Sequence, residues 1–340
     1  MLTTASQMLL RNLADLKGQT LLVEPPLDPL ASQLPKADPE RQLSVFTSLA
    51  SVARQWQQAK VPCSFGTKAD FAGTFQTAVL FYPKSKEQFK LMLQQVSQVL
   101  APDCDIFVVG DNKSGVKTLT KHAATLGMSA HKLDNARHAL WFILNGKLPD
   151  HSPALTSFSL EIQGNALKLC SMPGVFNHGA LDPGTELLLQ QLTSPLSGAV
   201  LDFACGNGVV GAWLKQKCPA IELFASDVSA LAVASTEATL AANQLTGTVQ
   251  AADGLPDSPV VFDHIVTNPP FHTGLKTDYS IAEAFIRQCP KRIKPGGSLT
   301  LVANNHLPYK GWLEASFGHC TILAKNNGFT VYQCIQRKKL

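Results

Sequence analysis

No apolar run in this chain approaches the ~20 residues that a membrane-spanning helix requires, and its start lacks the charged, apolar and small-residue order of a signal peptide. The expectation is a soluble, unexported protein of the cytoplasm with no membrane partner. The eight cysteines, at 63, 104, 170, 205, 218, 289, 320 and 334, include no Cys-x-x-Cys pair. Such scatter fits neither a disulfide framework nor a zinc knuckle, so a reducing compartment is expected and no metal. A strong excess of one charge is missing too: 29 Lys and Arg stand against 25 Asp and Glu, a formal net charge of +4. All of the excess lies early, since residues 1–150 hold 16 basic and 12 acidic side chains and 151–340 hold 13 of each. That bias permits contact with a polyanion without requiring it.

What is present is enough chain for two cores, 340 residues of which 45% are apolar. From residue 198 onward, short β-branched runs at 199–203, 222–226, 248–251, 264–266 and 298–302 alternate with helical patterns. This predicts an α/β, doubly wound parallel sheet. Two further runs, 321–325 and 330–336, flank Asn326-Asn327-Gly328-Phe329, and Asn-Gly predicts a closing antiparallel hairpin. Residues 1–150 repeat the plan faintly, with strands at 21–23, 78–82 and 105–109 and a helix over 86–100. Val79-Leu80-Phe81-Tyr82-Pro83-Lys84 stands where Ile265-Val266-Thr267-Asn268-Pro269-Pro270 stands later, and residues 106–112 resemble 299–305. Where the later copy has a glycine loop the earlier one has Glu24-Pro25-Pro26-Leu27, whose prolines remove the N–H groups that a carboxylate or phosphate needs. Residues 1–155 are therefore read as a degenerate domain and 156–340 as the catalytic one, entered through a hairpin of 157–162 and 166–170.

The chemistry is concentrated at strand ends of the second domain. Asp202-Phe203-Ala204-Cys205-Gly206-Asn207-Gly208-Val209-Val210-Gly211 carries the G-x-G-x-x-G spacing, which alone marks either a dinucleotide site or close packing of helix on strand. Asp202 is awkward for a pyrophosphate and suits an ammonium group. Asp227, 21 residues after Gly206, can accept both hydroxyls of an unphosphorylated ribose. Asp253, followed by Gly254, is placed to accept from an adenine amine. The fourth strand then ends in Asn268-Pro269-Pro270-Phe271, whose prolines supply no N–H, so the turn offers carbonyls and the Asn268 amide to an NH2 group. Phe271 supplies a flat stacking surface beside it.

Each of these residues has a plainer reading. A single aspartate at a strand end often caps the following helix, but three at successive strands favour a cofactor. Phe176 and Asp182-Pro183-Gly184-Thr185 fold over cofactor and substrate as a lid, or Asp182 is an N-cap with Pro183 at the first helical position. Cys205 reads as a small buried thiol rather than a nucleophile. His272 touches a base or caps the next segment. Lysines 84, 86, 90, 113, 117 and 121 line an RNA surface or are solvated helix faces.

The ordered set of acid, glycines, acid, acid and clamp resembles the class I S-adenosylmethionine-dependent methyltransferases, in their amino-methylating branch. Phe271-His272, Pro173-Gly174-Val175-Phe176, and residues 105–110 and 302–309 are similar to the guanine-N2 methyltransferases of bacterial ribosomal RNA, the 16S enzymes above all. Two positions depart from that pattern, Phe203-Ala204 before the glycine loop and Asn177-His178 after Phe176. The resemblance implies two tandem Rossmann-like class I methyltransferase domains, each a seven-stranded doubly wound sheet, the first of them degenerate and serving RNA recruitment or stability. It implies S-adenosyl-L-methionine held by Asp202, Cys205, Gly206, Gly208, Asp227, Val228, Asp253, Gly254 and Asn268. Catalysis would rest on Asn268, Pro269, Pro270 and Phe271, with substrate contacts from Phe176, Asp182, Gly184 and His272. The implied partner is 16S rRNA within the 30S ribosomal subunit, met by a monomer. The same clamp would serve a guanine of 23S rRNA, an adenine or a protein glutamine, and an RNA-binding assembly factor is a further alternative. A nicotinamide dehydrogenase would use the glycine string but gives Asn268 and Phe271 no role.

Overall fold

The computed structural model describes residues 1–149, 155–176, 179–257, 259–269, 276–305 and 307–337, with backbone alone for 276–280. The chain divides into two compact units, Met1–Ala154 and Leu155–Leu340. In the first, strands β1 (Thr20–Val23), β2 (Leu43–Thr47), β3 (Cys63–Phe65), β4 (Phe75–Phe81), β5 (Leu100–Asp111), β6 (Ser129–Ala136) and β7 (Ala139–Asn145) form one sheet in the order β3-β2-β1-β4-β5-β7-β6. The second opens with a separate hairpin of β8 (Thr156–Ile162) and β9 (Asn165–Ser171). Its main sheet takes β10 (Ala199–Phe203), β11 (Glu222–Asp227), β12 (Thr248–Ala251), β13 (Phe262–Thr267), β14 (Ile293–Asn304), β15 (Thr321–Asn326) and β16 (Phe329–Ile335) in the order β12-β11-β10-β13-β14-β16-β15. The two orders are the same topology.

Both sheets are parallel but for the last two strands, which pair antiparallel. Parallel strands covered by helices on both faces are apolar at nearly every position, and β10 shows it apart from the buried Asp202. Ala199, Leu201 and Phe203 enter one core cluster while Val200 enters the other. The reversal of strand order between β11 and β13 opens a crevice at the carboxyl ends of the strands, where ligands of such sheets bind. The Asn327-Gly328 turn joins β15 to β16 as its sequence predicts.

Strand pairing sharpens the internal repeat. Val23 pairs with Phe46 and Leu80, as Phe203 pairs with Ser226 and Thr267. Leu80 in turn lies beside Val108, and Thr267 beside Leu301, so residues 106–112 do match 299–305. Phe81, not Tyr82, therefore occupies the position of Asn268. The expected alignment of Val79 to Lys84 with Ile265 to Pro270 is off by one, because a strand buried on both faces has no alternation to fix its register.

A polar zip, buried at Cys170 and open to solvent at Lys168, fastens the hairpin to the sheet. Helix Ala230–Ala242 and its cap present Ser235, Thr239 and Asn243 at intervals of four residues, a rise of about 6 Å per step. Alternate residues of β9 recur every ~6.8 Å. The near match lets Thr239 Oγ1 accept from Cys170 N at 2.9 Å and donate to Cys170 O at 3.3 Å. Asn243 takes Lys168 N at 3.0 Å and gives to Lys168 O at 2.6 Å, and Ser235 accepts Met172 N at 3.1 Å. The free edge of β9 is thus paired by side chains instead of a strand. Thr239→Val keeps the shape and leaves both Cys170 groups unpaired. Loss of about 1–3 kcal/mol in urea unfolding is expected, and an unchanged midpoint would show that the zip contributes nothing.

Candidate active site

The glycine loop leaves β10 through Ala204, Gly206 and Gly208, all in the left-handed region at φ 57°, 58° and 79°. Glycine is required at 208, where an added Cβ would lie 2.8 Å from Thr236 Cγ2. Thr236 also holds the loop from beneath, donating toward Gly206 O at 3.1 Å and Cys205 Sγ at 3.2 Å. Asp202 points under the loop, not into the crevice: it is 1% exposed and its Oδ2 accepts Gly211 N at 2.8 Å. Gly211 is the third glycine of the spacing, and a side chain there would meet Asp202 Oδ2 at 3.0 Å. Burial, together with the Asp202 and Asp227 carboxylates, pushes the Cys205 thiol well up, so it stays protonated and is no nucleophile.

Asp227 closes β11 and ties two segments together, with Oδ2 accepting Gly206 N and Oδ1 accepting Ser229 N, each at 3.0 Å. A carboxylate has about four acceptor positions, so hydroxyls can still be taken up. Val228 beside it is half-buried, while Asp253 after β12 is exposed and Gly254 stands at φ 93° with open space around it. Phe176 is 48% exposed, and its carbonyl oxygen and Cβ lie 3.6 and 3.8 Å from where a Cβ of Gly206 would be. The aromatic segment thus reaches the glycine loop.

At the end of β13, Thr267 Oγ1 donates to Phe203 O at 2.7 Å and sets the direction in which Asn268 leaves the sheet. Asn268 Nδ2 donates to Asp182 Oδ2 at 3.0 Å and to Thr185 Oγ1 at 2.8 Å. Its Oδ1 is buried and has no hydrogen-bond partner among the described residues. Asp182 is at once the N-cap of helix Pro183–Gln191, with Pro183 in the first turn and Thr185 N bonded to Oδ2 at 2.9 Å. The plain capping role and the site role coexist in one carboxylate. Gly184 has no side chain because one would press on Asp182 Oδ2 and the Phe329 ring, both 2.9 Å away. Pro269 is buried. Pro270, Phe271 and His272 lie outside the described residues, as do Asn177, His178 and His306.

Sequence reasoning missed Thr236, hidden in an apolar helix, and took Thr185 only as part of a lid segment. Its place three residues after Asp182 is a capping signal, but nothing local ties it to Asn268, 83 positions on.

The Methyltransferase small domain profile matches residues 166–333, and the Methyltransferase small domain N-terminal profile matches 6–160. Ribosomal RNA small subunit methyltransferase C of Shewanella sp. (strain MR-4) is 38% identical over 98% of each chain. The protein of the same name from Vibrio vulnificus (strain CMCP6) is also 38% identical, over 97% of this chain and 98% of its own. The chain belongs to the ribosomal RNA small subunit methyltransferase C family. The T. thermophilus 16S rRNA N2 G1207 methyltransferase (RsmC), solved in complex with AdoMet and guanosine, has the same fold at a TM-score of 0.84, covering 98% of this chain and 92% of its own at 24% identity.

Within this methyltransferase the first unit carries a different set of side chains at the corresponding strand ends. Glu24 takes the place of Ala204, with the same left-handed backbone at φ 52°. Its carboxylate accepts Ser48 N at 2.8 Å and Thr47 Oγ1 at 2.9 Å. Thr47 occupies the position of Asp227 at the end of the second strand and repeats its turn, accepting Leu49 N at 3.1 Å. The acid has moved from the second strand to the first, into the space above the strands. Burial raises its pKa, the hydrogen bonds from Ser48 and Thr47 opposing.

Burial, helped by the neighbouring Asp227, pushes Asp202 up to about 7 against the bond from Gly211. A folded carboxyl with a raised pKa binds its proton more tightly than the unfolded one. Its stabilisation is complete below the ordinary carboxylate range and is lost as pH rises toward 7. Cofactor-free protein should lose stability from pH 4 to 7 at up to about 1.4 kcal/mol per unit from this group. Asp202→Asn should flatten the urea-midpoint profile over that range; a profile parallel to the wild type would refute the assignment.

Proposed function

We propose that this chain transfers a methyl group from S-adenosylmethionine to the exocyclic N2 amine of a guanine in 16S rRNA, in the cytoplasm, on RNA of the small ribosomal subunit. The observation that carries the chemistry is the buried Oδ1 of Asn268, which has no partner among the described residues, beside an amide nitrogen already saturated by Asp182 and Thr185. A buried acceptor without a donor costs free energy unless a ligand supplies one. The names of the full-length relatives support the small-subunit RNA as substrate.

The residues present fit the cofactor. The left-handed turns at 204, 206 and 208 bring the backbone close to a ligand without side chains in the way, and Asp227 keeps acceptor positions for ribose hydroxyls. These positions, with Asp202 beneath and Val228, Asp253 and Gly254 around the adenosine side, would hold it. When bound, S-adenosylmethionine supplies an electrophilic methyl group.

The guanine amine is a poor nucleophile because its lone pair is delocalised into the ring. Asn268 Oδ1 and the Pro269 carbonyl would accept its two hydrogens, draw the nitrogen toward a pyramidal shape and aim the lone pair. Phe271 would hold the ring by stacking, with Phe176, Asp182, Gly184 and His272 bordering the substrate. The gain is orientation and preorganised electrostatics. No strong base is required, since the N–H becomes acidic once the methyl is attached and its proton leaves through Asn268 or water. A paired guanine must first leave its helix. The first unit, its cofactor space taken by Glu24, would recruit RNA or stabilise its partner.

Methyl transfer from labelled S-adenosylmethionine to unmodified 16S rRNA, naked and in small subunits, should yield N2-methylguanosine. Asn268→Ala should lower kcat by about 10²–10³. Label in N6-methyladenosine, 23S rRNA or protein would redirect the substrate, and full activity of Asn268→Ala would discard the clamp.

A further inference from the structure

An asparagine can serve as an amine clamp only if its oxygen, not its nitrogen, faces the substrate. The two ends of a carboxamide have nearly the same shape, so packing cannot tell them apart; only hydrogen-bond polarity can. Here the polarity is supplied from outside the Asn-Pro-Pro turn. Asp182 Oδ2 belongs to a carboxylate that acts as acceptor for Thr185 N at 2.9 Å and for Asn268 Nδ2 at 3.0 Å. The Thr185 hydroxyl donates to the same Oδ2 at 3.4 Å, which leaves its lone pairs for Asn268 Nδ2 at 2.8 Å. Thr185 is 1% exposed, so no water competes for that hydroxyl. Both amide hydrogens thus meet acceptors. A flipped amide would set Oδ1 against a carboxylate oxygen and a hydroxyl lone pair, and would turn donors toward an amine that itself brings donors.

We infer that Thr185 is a positioning residue for methyl transfer, its hydroxyl working with Asp182 to lock the Asn268 carboxamide with Oδ1 toward the substrate amine. The inference rests on the clamp reading above and adds to it the device that gives the clamp its direction. Asp182 and Thr185 share the first turn of helix Pro183–Gln191, and Asn268 follows β13, so the lock also joins the lid-side helix to the catalytic turn. Its place in the helix makes it testable. The cap uses the backbone N–H of residue 185, which any residue but proline provides, whereas the lock uses the hydroxyl.

Thr185→Val in the full-length protein keeps the branched shape and the N–H to Asp182 while removing the lone pair that holds Asn268. Assayed on unmodified 16S rRNA in small subunits, it should lose 10- to 100-fold in kcat. Its affinity for S-adenosylmethionine by calorimetry should stay within twofold of wild type, and its unfolding midpoint should fall by no more than a few degrees, leaving it fully folded at the assay temperature. Thr185→Ser, which keeps the hydroxyl, should recover most of the rate. A Thr185→Val enzyme with wild-type kcat, measured beside an inactive Asn268→Ala, would overturn the lock and leave the clamp standing. Full activity in Asn268→Ala would remove the clamp and the lock with it. A rate loss matched by lost cofactor affinity or stability, or one that serine does not recover, would make Thr185 structural and overturn the inference as well.

Discussion

The site is organised by one oxygen atom, Asp182 Oδ2, which accepts from the backbone of Thr185, from its hydroxyl and from the amide of Asn268. Capping a helix and orienting a side-chain amide are separate tasks, and they converge here because both call for an acceptor with negative charge at the same point. The charge is favoured where it stands, at the positive end of helix Pro183–Gln191. Gly184 is the condition for the arrangement, since any Cβ would displace the carboxylate. Change at Asp182 or Gly184 therefore acts on helix and amide together, whereas loss of the Thr185 hydroxyl alone spares the backbone cap.

That hub is held in place by a second layer of polar contacts. Helix Ala230–Ala242 uses Ser235, Thr239 and its cap Asn243 to pair the edge of β9, and Thr236 to hold the glycine loop. One helix face thus positions both the segment leading to Phe176 and Asp182 and the loop that fits the cofactor. Hydroxyls suit this task better than apolar side chains, because a backbone edge buried against a hydrocarbon surface would leave its N–H and C=O groups unpaired. The first unit uses a different pairing, in which Thr47 donates to Glu24 across the two strand ends.

The strand pattern of the second sheet was legible because its strands read as short apolar or β-branched runs between helical patterns: 199–203 and 248–251 are strands β10 and β12 residue for residue. The three aspartates and the Asn-Pro-Pro turn were legible for a related reason, standing where such runs end. The first unit was less so. Its β2, β3, β6 and β7 have no Gly-rich or acidic end to mark them, and its repeat was read one residue out of step at Phe81 because unbroken apolar runs carry no register. Thr185 was legible only as part of the 182–185 segment, and Thr236 was not legible as a support of the glycine loop. Their partners, Asn268 and the loop of Cys205 and Gly206, lie far away in sequence, and a hydroxyl in a helix has no local pattern that names its acceptor.

The same geometry explains why position 268 suits an amide better than a carboxylate, although either presents an oxygen. An aspartate there would face Asp182 Oδ2 at hydrogen-bond distance with nothing between them to donate, and like charges so close force one to hold a proton. That proton would sit between the two acids, and the outward oxygen would carry charge that binds tightly to water and must be desolvated before an amine can approach. The carboxamide divides the work. Its nitrogen satisfies Asp182 and Thr185, and its oxygen remains a neutral acceptor at low desolvation cost. Because the fixed carboxylate belongs to the neighbouring helix, the residue that follows β13 stays uncharged, and under the proposed clamp an amine would be gripped without being held too strongly to react.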